Sequence, residues 1–190
     1  MDSASGSSHE RERVDQGHLP RLAPGYYRGR AFIHWTLTVE KRATGWLTPA
    51  FHHLWQNTLL HACARYQLAC PVYLLMPDHA HLLGVGLHDD IDHRTAVEFL
   101  RKHLRPALAP ADWQHQTHDQ VLREHERDRG AFQTVAQYIL DNPVRAGLVA
   151  SSSDYHFTGC CFPGYPDLSI NQLDYWNRFW RIYYRCVEQR

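Results

Sequence analysis

The chain has 190 residues, with 20 basic and 20 acidic side chains, 15 histidines and a 44% hydrophobic content. That length suits one globular domain with extensions, and no run of about 18 apolar residues is present that would cross a bilayer as a helix. A formal net charge of zero excludes a uniformly basic surface, so any contact with phosphates has to come from clustered charge.

Residues 1–24 mix Ser, Gly, Asp, Glu and Arg with few apolar side chains, which predicts a disordered lead ending near Pro24-Gly25. The first residues lack the apolar core of a signal peptide, and a cytoplasmic location is expected. Five cysteines without a CxxC pair predict reduced thiols rather than a disulfide framework or a zinc knuckle. Residues 31–39, rich in β-branched and aromatic side chains, read as a strand. Residues 48–68 carry Phe51, Leu54, Trp55, Leu59, Ala62 and Tyr66 at helical spacing. Residues 71–76 and 79–86 read as two strands joined by a tight turn at Pro77-Asp78. A helix is predicted over 91–108, with Val97, Leu100 and Leu104 inward and Arg101, Lys102 and Arg105 outward. A short strand over 118–123 follows, then a helix over 131–142 that Pro143 closes, because the residue before proline disfavours the helical region.

This order of elements predicts an α+β fold, a ferredoxin-like antiparallel sheet with helices on one face, occupying residues 25–155. Residues 156–190 form a separate extension. A Gly/Pro/Cys loop over 159–166 leads to a segment where Trp176, Phe179, Trp180 and Tyr183 recur at helical spacing, the pattern of an amphipathic C-terminal helix. Its aromatic face either packs on the domain or, interleaved with arginines, stacks on unpaired bases.

Two segments carry candidate chemistry. In Met76-Pro77-Asp78-His79-Ala80-His81-Leu82-Leu83, strand alternation places His79 and His81 on one face and Ala80 on the other. Two imidazoles so placed can grip one divalent cation. In the helix ending Tyr138-Ile139-Leu140-Asp141-Asn142, Tyr138 and Asn142 stand at i and i+4, with Cβ atoms about 6 Å apart, and offer a phenol and an amide oxygen to that cation. A site completed by oxygen ligands suits Mg²⁺ or Mn²⁺ on a phosphate substrate. A tyrosine attacking a phosphodiester keeps the bond energy in a covalent link, which is the logic of strand transfer rather than hydrolysis.

Read together, Met76 to Leu83 and Tyr138-Ile139-Leu140-Asp141-Asn142-Pro143-Val144-Arg145-Ala146-Gly147-Leu148-Val149 resemble the HUH single-tyrosine transposases, and most of all the REP-associated tyrosine transposases. Trp113-Gln114 and His118 to Arg123 resemble the stretch between that branch's motifs. The resemblance covers about residues 27–155. It implies the ferredoxin-like fold, a divalent metal (Mg²⁺ or Mn²⁺) on His79 and His81 with Asn142 as third ligand, and Tyr138 as the nucleophile. It further implies nicking of single-stranded DNA near small hairpins, leaving a 5′-phosphotyrosine and a free 3′-OH. Asp78 stands where the family pattern has Asn; both are turn residues.

Arg101, Lys102, Arg105, Arg123 and Arg145 are the candidate DNA-binding residues. A monomer is expected, with a homodimer as the alternative. Two other functions fit the same residues. One is a domesticated, non-catalytic protein that recognises hairpin DNA through Arg101, Lys102, Arg105 and the tail. The other is a zinc hydrolase using His79, His81 and His115 or His118, although no HExxH-type motif supplies its general base.

Overall fold

The computed structural model describes residues 22–188, so the lead expected over 1–24 lies almost wholly outside the described residues. Among them, β1 (Phe32–Thr38), α1 (Pro49–Tyr66), β2 (Leu68–Met76), β3 (His79–Gly86), α2 (His93–Leu108) and β4 (His118–Val121) come first. Then follow α3 (Arg129–Leu140), α4 (Asn142–Arg145), β5 (Thr158–Cys161) and α5 (Tyr175–Glu188). The sheet order is β4-β1-β3-β2-β5, and every neighbouring pair is antiparallel. The crossover through α1 returns β2 in the direction of β1 but leaves a gap one strand wide. The β2–β3 hairpin folds β3 into that gap, which gives the ferredoxin-like arrangement.

Local signals set the element ends. Thr48 caps α1 by accepting from the Phe51 N–H at 3.1 Å, and Asp92 caps α2 by accepting from the Arg94 N–H at 3.0 Å. Gln67 closes α1 in the left-handed region. Met76 pairs with His79 across a two-residue turn of Pro77 and Asp78, which fixes the hairpin register.

The two sheet faces bury different cores. Ile33, Trp35, Leu37, Tyr73, Leu75, Ala80 and Leu82 pack under α1 and α2, against Phe51, Trp55, Leu59, Val97, Leu100 and Leu104. The other phase of the same strands, Phe32, Val72, Leu74, Leu83 and Val85, packs against Phe132, Ala136 and Ile139 of α3 and Phe179, Trp180 and Tyr183 of α5. The expected helix layer on one face is therefore α1 and α2, while α3 and the C-terminal extension cover the other. On that second face the tail's aromatics are packed on the domain: Phe32 meets Phe132 edge-on at 5.1 Å and stacks with Trp180 at 6.2 Å.

Two elements differ from the sequence reading. The loop expected from Gly159 contains strand β5, which extends the sheet beyond β2 with Gly159 opposite Tyr73. The helix expected through Asn142 stops at Leu140, and α4 restarts at Asn142 with Pro143 in its first turn. Pro143 has no N–H to give the Ile139 carbonyl. The Asn142 side-chain Nδ2 donates to that carbonyl instead, at 2.9 Å.

Candidate active site

The polar phase of the central strands gathers on the α3 face. In the sheet register Thr36 lies between His81 of β3 and His118 of β4, and His34 lies beside Gln120. On this half of the face a polar floor runs from His79 and His81 across Thr36 to β4.

His79 and His81 converge at the end of β3. Their Nε2 atoms are 3.0 Å apart, and the other ring nitrogen of each is occupied. His79 Nδ1 lies 2.6 Å from Asp78 Oδ1, and Arg42 Nη1 donates to Asp78 Oδ2 at 3.1 Å. His81 Nδ1 lies 3.0 Å from His34 Nε2 and 3.4 Å from Thr36 Oγ1. Burial, with the neighbouring charges of His34, His79 and Arg145, pushes His81 down to about 3. Burial, with His118, pushes His34 down to about 4. Both rings are thus neutral at pH 7, the state in which an imidazole nitrogen can donate a lone pair. Burial alone would raise Asp78, but the His79 ring and Arg42 hold its carboxyl below the usual carboxylate range.

A divalent cation fits this pair. The 3.0 Å between the two Nε2 atoms is a hydrogen-bond distance, one ring donating to the other; two donors about 2.1 Å from one ion at right angles would also be about 3.0 Å apart. Among the described residues no group of three or more His, Cys, Asp or Glu side chains is placed to hold a metal ion, so the remaining ligands would have to be amide, phenol, water or phosphate oxygens.

Tyr138 is 61% exposed near the end of α3, and Arg145 lies over its ring, 3.9 Å from the centroid. Arg145 Nη1 donates to the Tyr138 carbonyl at 3.0 Å, and Nη2 donates to Asn142 Oδ1 at 2.7 Å. One guanidinium therefore joins the phenol ring, the amide oxygen and, through its charge, His81. Asn142 is turned back on the end of α3, with Oδ1 held by Arg145, rather than displayed beside Tyr138 on a continuous helix.

The other predicted basic residues are elsewhere. Arg101, Lys102 and Arg105 are on α2, across the sheet from the histidine pair. Arg101 donates to the carbonyls of Gln114 and His115, and Arg105 pairs with Asp112 at 2.9 Å, so both fasten the loop after α2. Lys102 is exposed. Arg123 is exposed just past β4, at the end of the sheet marked by Ile33 rather than by Thr38. Of the five, only Arg145 reaches the site. Sequence reasoning missed His34, Thr36 and Arg42. The alternation His34, Thr36, Thr38 was visible in β1, but only the register shows that it faces the β3 histidines.

Fold and site define an α+β domain of ferredoxin-like topology, with a histidine pair at the end of a central strand and a tyrosine-bearing helix on the same face. No family model and no curated protein matches the chain. Among solved structures, a REP-associated tyrosine transposase bound to a REP hairpin has the same fold, with a TM-score of 0.62 at 19% identity, over 75% of this chain and 81% of that one.

Proposed function

We propose that this protein is a metal-dependent single-stranded DNA endonuclease and strand transferase that cleaves near hairpins through a 5′-phosphotyrosine. The observation that carries the reading is the convergence of the His79 and His81 Nε2 atoms, 3.0 Å apart, on the sheet face that also seats the helix of Tyr138. The fold shared with a transposase solved on a REP hairpin supports hairpin DNA as the partner.

His79 and His81 would hold Mg²⁺ or Mn²⁺, with Asn142 as third ligand through the Oδ1 lone pair that Arg145 leaves free. Bound there, the cation supplies positive charge against the phosphoryl oxygens and favours the phenolate. Tyr138 attacks phosphorus; the Tyr Oη–P bond forms, the bond to the 3′ oxygen breaks, and that oxygen leaves as a 3′-OH once it takes up a proton. Another 3′-OH reverses the step and rejoins a strand. Arg145, stacked on the phenol ring, limits its rotation and adds charge where the phosphate must lie. The packing of α3 on the sheet of its own chain supports a site built within one chain, and so a monomer.

The test is incubation of labelled hairpin-bearing single strands from the gene's own flanks with Mg²⁺ or Mn²⁺, comparing wild type with Tyr138→Phe. A denaturation-resistant protein–DNA adduct that Tyr138→Phe abolishes is expected. Binding without an adduct under either metal would replace this reading with the non-catalytic hairpin-binding protein. Cleavage that survives the substitution would make water the nucleophile.

A further inference from the structure

A neutral imidazole carries one proton, and the nitrogen that binds a cation has to be the bare one. For His79 the carboxylate settles which nitrogen that is. Asp78 Oδ1, 2.6 Å from His79 Nδ1, can only accept, so the proton sits on Nδ1 and Nε2 is bare. Arg42 steadies that carboxylate at 3.1 Å, while its Nη1 also lies 3.5 Å from His79 Nδ1.

The loop that delivers Arg42 is strained. Lys41 and Arg42 both occupy the left-handed region, at φ 54° and 55°, which is unfavourable for non-glycine residues. The loop is fastened to the hairpin turn by the Val39 N–H, which donates to the Asp78 carbonyl at 3.0 Å. The strain is thus held where the arginine meets the carboxylate.

On the other ring, His81 Nδ1 faces His34 Nε2 at 3.0 Å. With His79 Nε2 bare and 3.0 Å away, His81 Nε2–H donates to it in the metal-free protein and His81 Nδ1 accepts from His34 Nε2–H. A cation between the rings would displace that proton to His81 Nδ1, with His34 Nε2 then accepting once His34 carries its own proton on Nδ1. Each ring of the pair therefore has a dedicated partner behind it, one anionic and one neutral.

We propose that Asp78 is a positioning residue that holds His79 as its Nδ1–H tautomer, Nε2 bare toward the cation, with Arg42 as the counter-ion that keeps Asp78 aimed and His34 as the partner that holds the His81 ring. The proposal rests on the reading of His79 and His81 as cation ligands. A carboxylate behind an imidazole raises the donor strength of the far nitrogen, and loss of such a partner typically weakens metal binding by about 10–100-fold.

The experiment measures Mn²⁺ binding to the full chain by calorimetry, alongside long-range ¹H–¹⁵N spectra of the imidazoles in metal-free protein. It compares wild type with Asp78→Asn, Asp78→Ala and His34→Gln. The wild type should show His79 as Nδ1–H and His81 as Nε2–H. Asp78→Ala should mix the His79 tautomers and weaken Mn²⁺ by about 10–100-fold, and Asp78→Asn, whose single amide oxygen can serve either Arg42 or His79, should weaken it by less. His34→Gln should disturb His81 alone. Wild-type tautomer and affinity in Asp78→Ala would overturn the proposal, and the near-isosteric Asp78→Asn guards against a fold defect. A wild type that shows the His79 Nδ1–H tautomer and binds no Mn²⁺ would instead overturn the ligand reading.

Discussion

Arg145 is the residue whose removal separates chemistry from support. Arg145→Ala deletes two hydrogen bonds, at 3.0 Å to the Tyr138 carbonyl and 2.7 Å to Asn142 Oδ1, and a guanidinium 3.9 Å from the Tyr138 ring centroid. All three are solvated, since Tyr138 is 61% exposed, so each is worth the low end of its range, about 0.5 kcal/mol. Urea unfolding should register a loss of about 1–2 kcal/mol. Single-turnover adduct formation should slow by about 10–100-fold, equivalent to about 1.4–2.7 kcal/mol in the barrier, because the phenol loses its orientation and the phosphate loses a charge. Arg145→Lys should restore the charge but not the stacking or the forked hydrogen bonds, and should recover only part of the rate. An unchanged single-turnover rate with reduced stability would refute the reasoning and leave Arg145 as a clip on the end of α3. A loss confined to DNA affinity, with a salt slope lower by about 1, would reduce it to a phosphate anchor.

Two further outcomes follow from the packing. At Gly159 an added Cβ would lie 2.6 Å from the Tyr73 hydroxyl, which is fixed by His52 Nε2 at 2.9 Å and Gln56 Nε2 at 3.1 Å; Gly159→Ala should cost about 1–3 kcal/mol in urea unfolding, and an unchanged midpoint would show that β5 can lift away freely. His93 donates Nε2–H to the Gly29 carbonyl at 3.2 Å, its Nδ1 has no hydrogen-bond partner, and burial pushes it down to about 4. Its folded-state proton affinity is below the unfolded one, so the unfolded chain takes up protons first as pH falls below about 6.5, and stability declines until the folded ring also titrates near 4. His93 alone should cost about 2 kcal/mol at pH 5 relative to pH 7, or roughly 4–8 °C in Tm. His93→Gln should flatten that part of the profile, and a wild-type Tm equal at the two pH values would contradict it.

The legible parts of the fold were those where a local pattern and its tertiary use agree. β3 runs from His79 to Gly86 as its alternation predicts, and α1 and α2 end within two residues of their periodic segments. Strand β5 was illegible because Thr-Gly-Cys-Cys has no apolar period; it exists through pairing with β2 and through the absence of a side chain at Gly159 beneath Tyr73. The restart at Asn142 was half legible. Pro143 announced the break, but not that the Asn142 amide would replace the missing N–H and so turn its oxygen toward Arg145. His34 and Arg42 were hidden for a different reason, since their relation to His79 and His81 is created by register and by a strained loop, and neither leaves a local sequence mark.

The placement of the histidine pair follows from the same parity that builds the core. A slip of one residue between β1 and β3 would reverse which side chains face α1 and α2. His79 and His81 would then enter the core of Trp55 and Leu100, where an unpaired imidazole has no partner, and Ala80 and Leu82 would be stranded on the polar floor. The two-residue turn at Pro77-Asp78 sets that parity from one end of the hairpin, and the close packing of Leu74 and Leu83 against α3 and α5 sets it from the other face. Asp78 therefore acts twice: its backbone carbonyl and turn position fix which face the histidines take, and its carboxylate holds the Nδ1 side of the His79 ring. Stability of the hairpin and geometry of the site are one constraint, so substitutions at Leu74 or Leu83 that loosen the core should also spread the two Nε2 atoms, without touching either histidine.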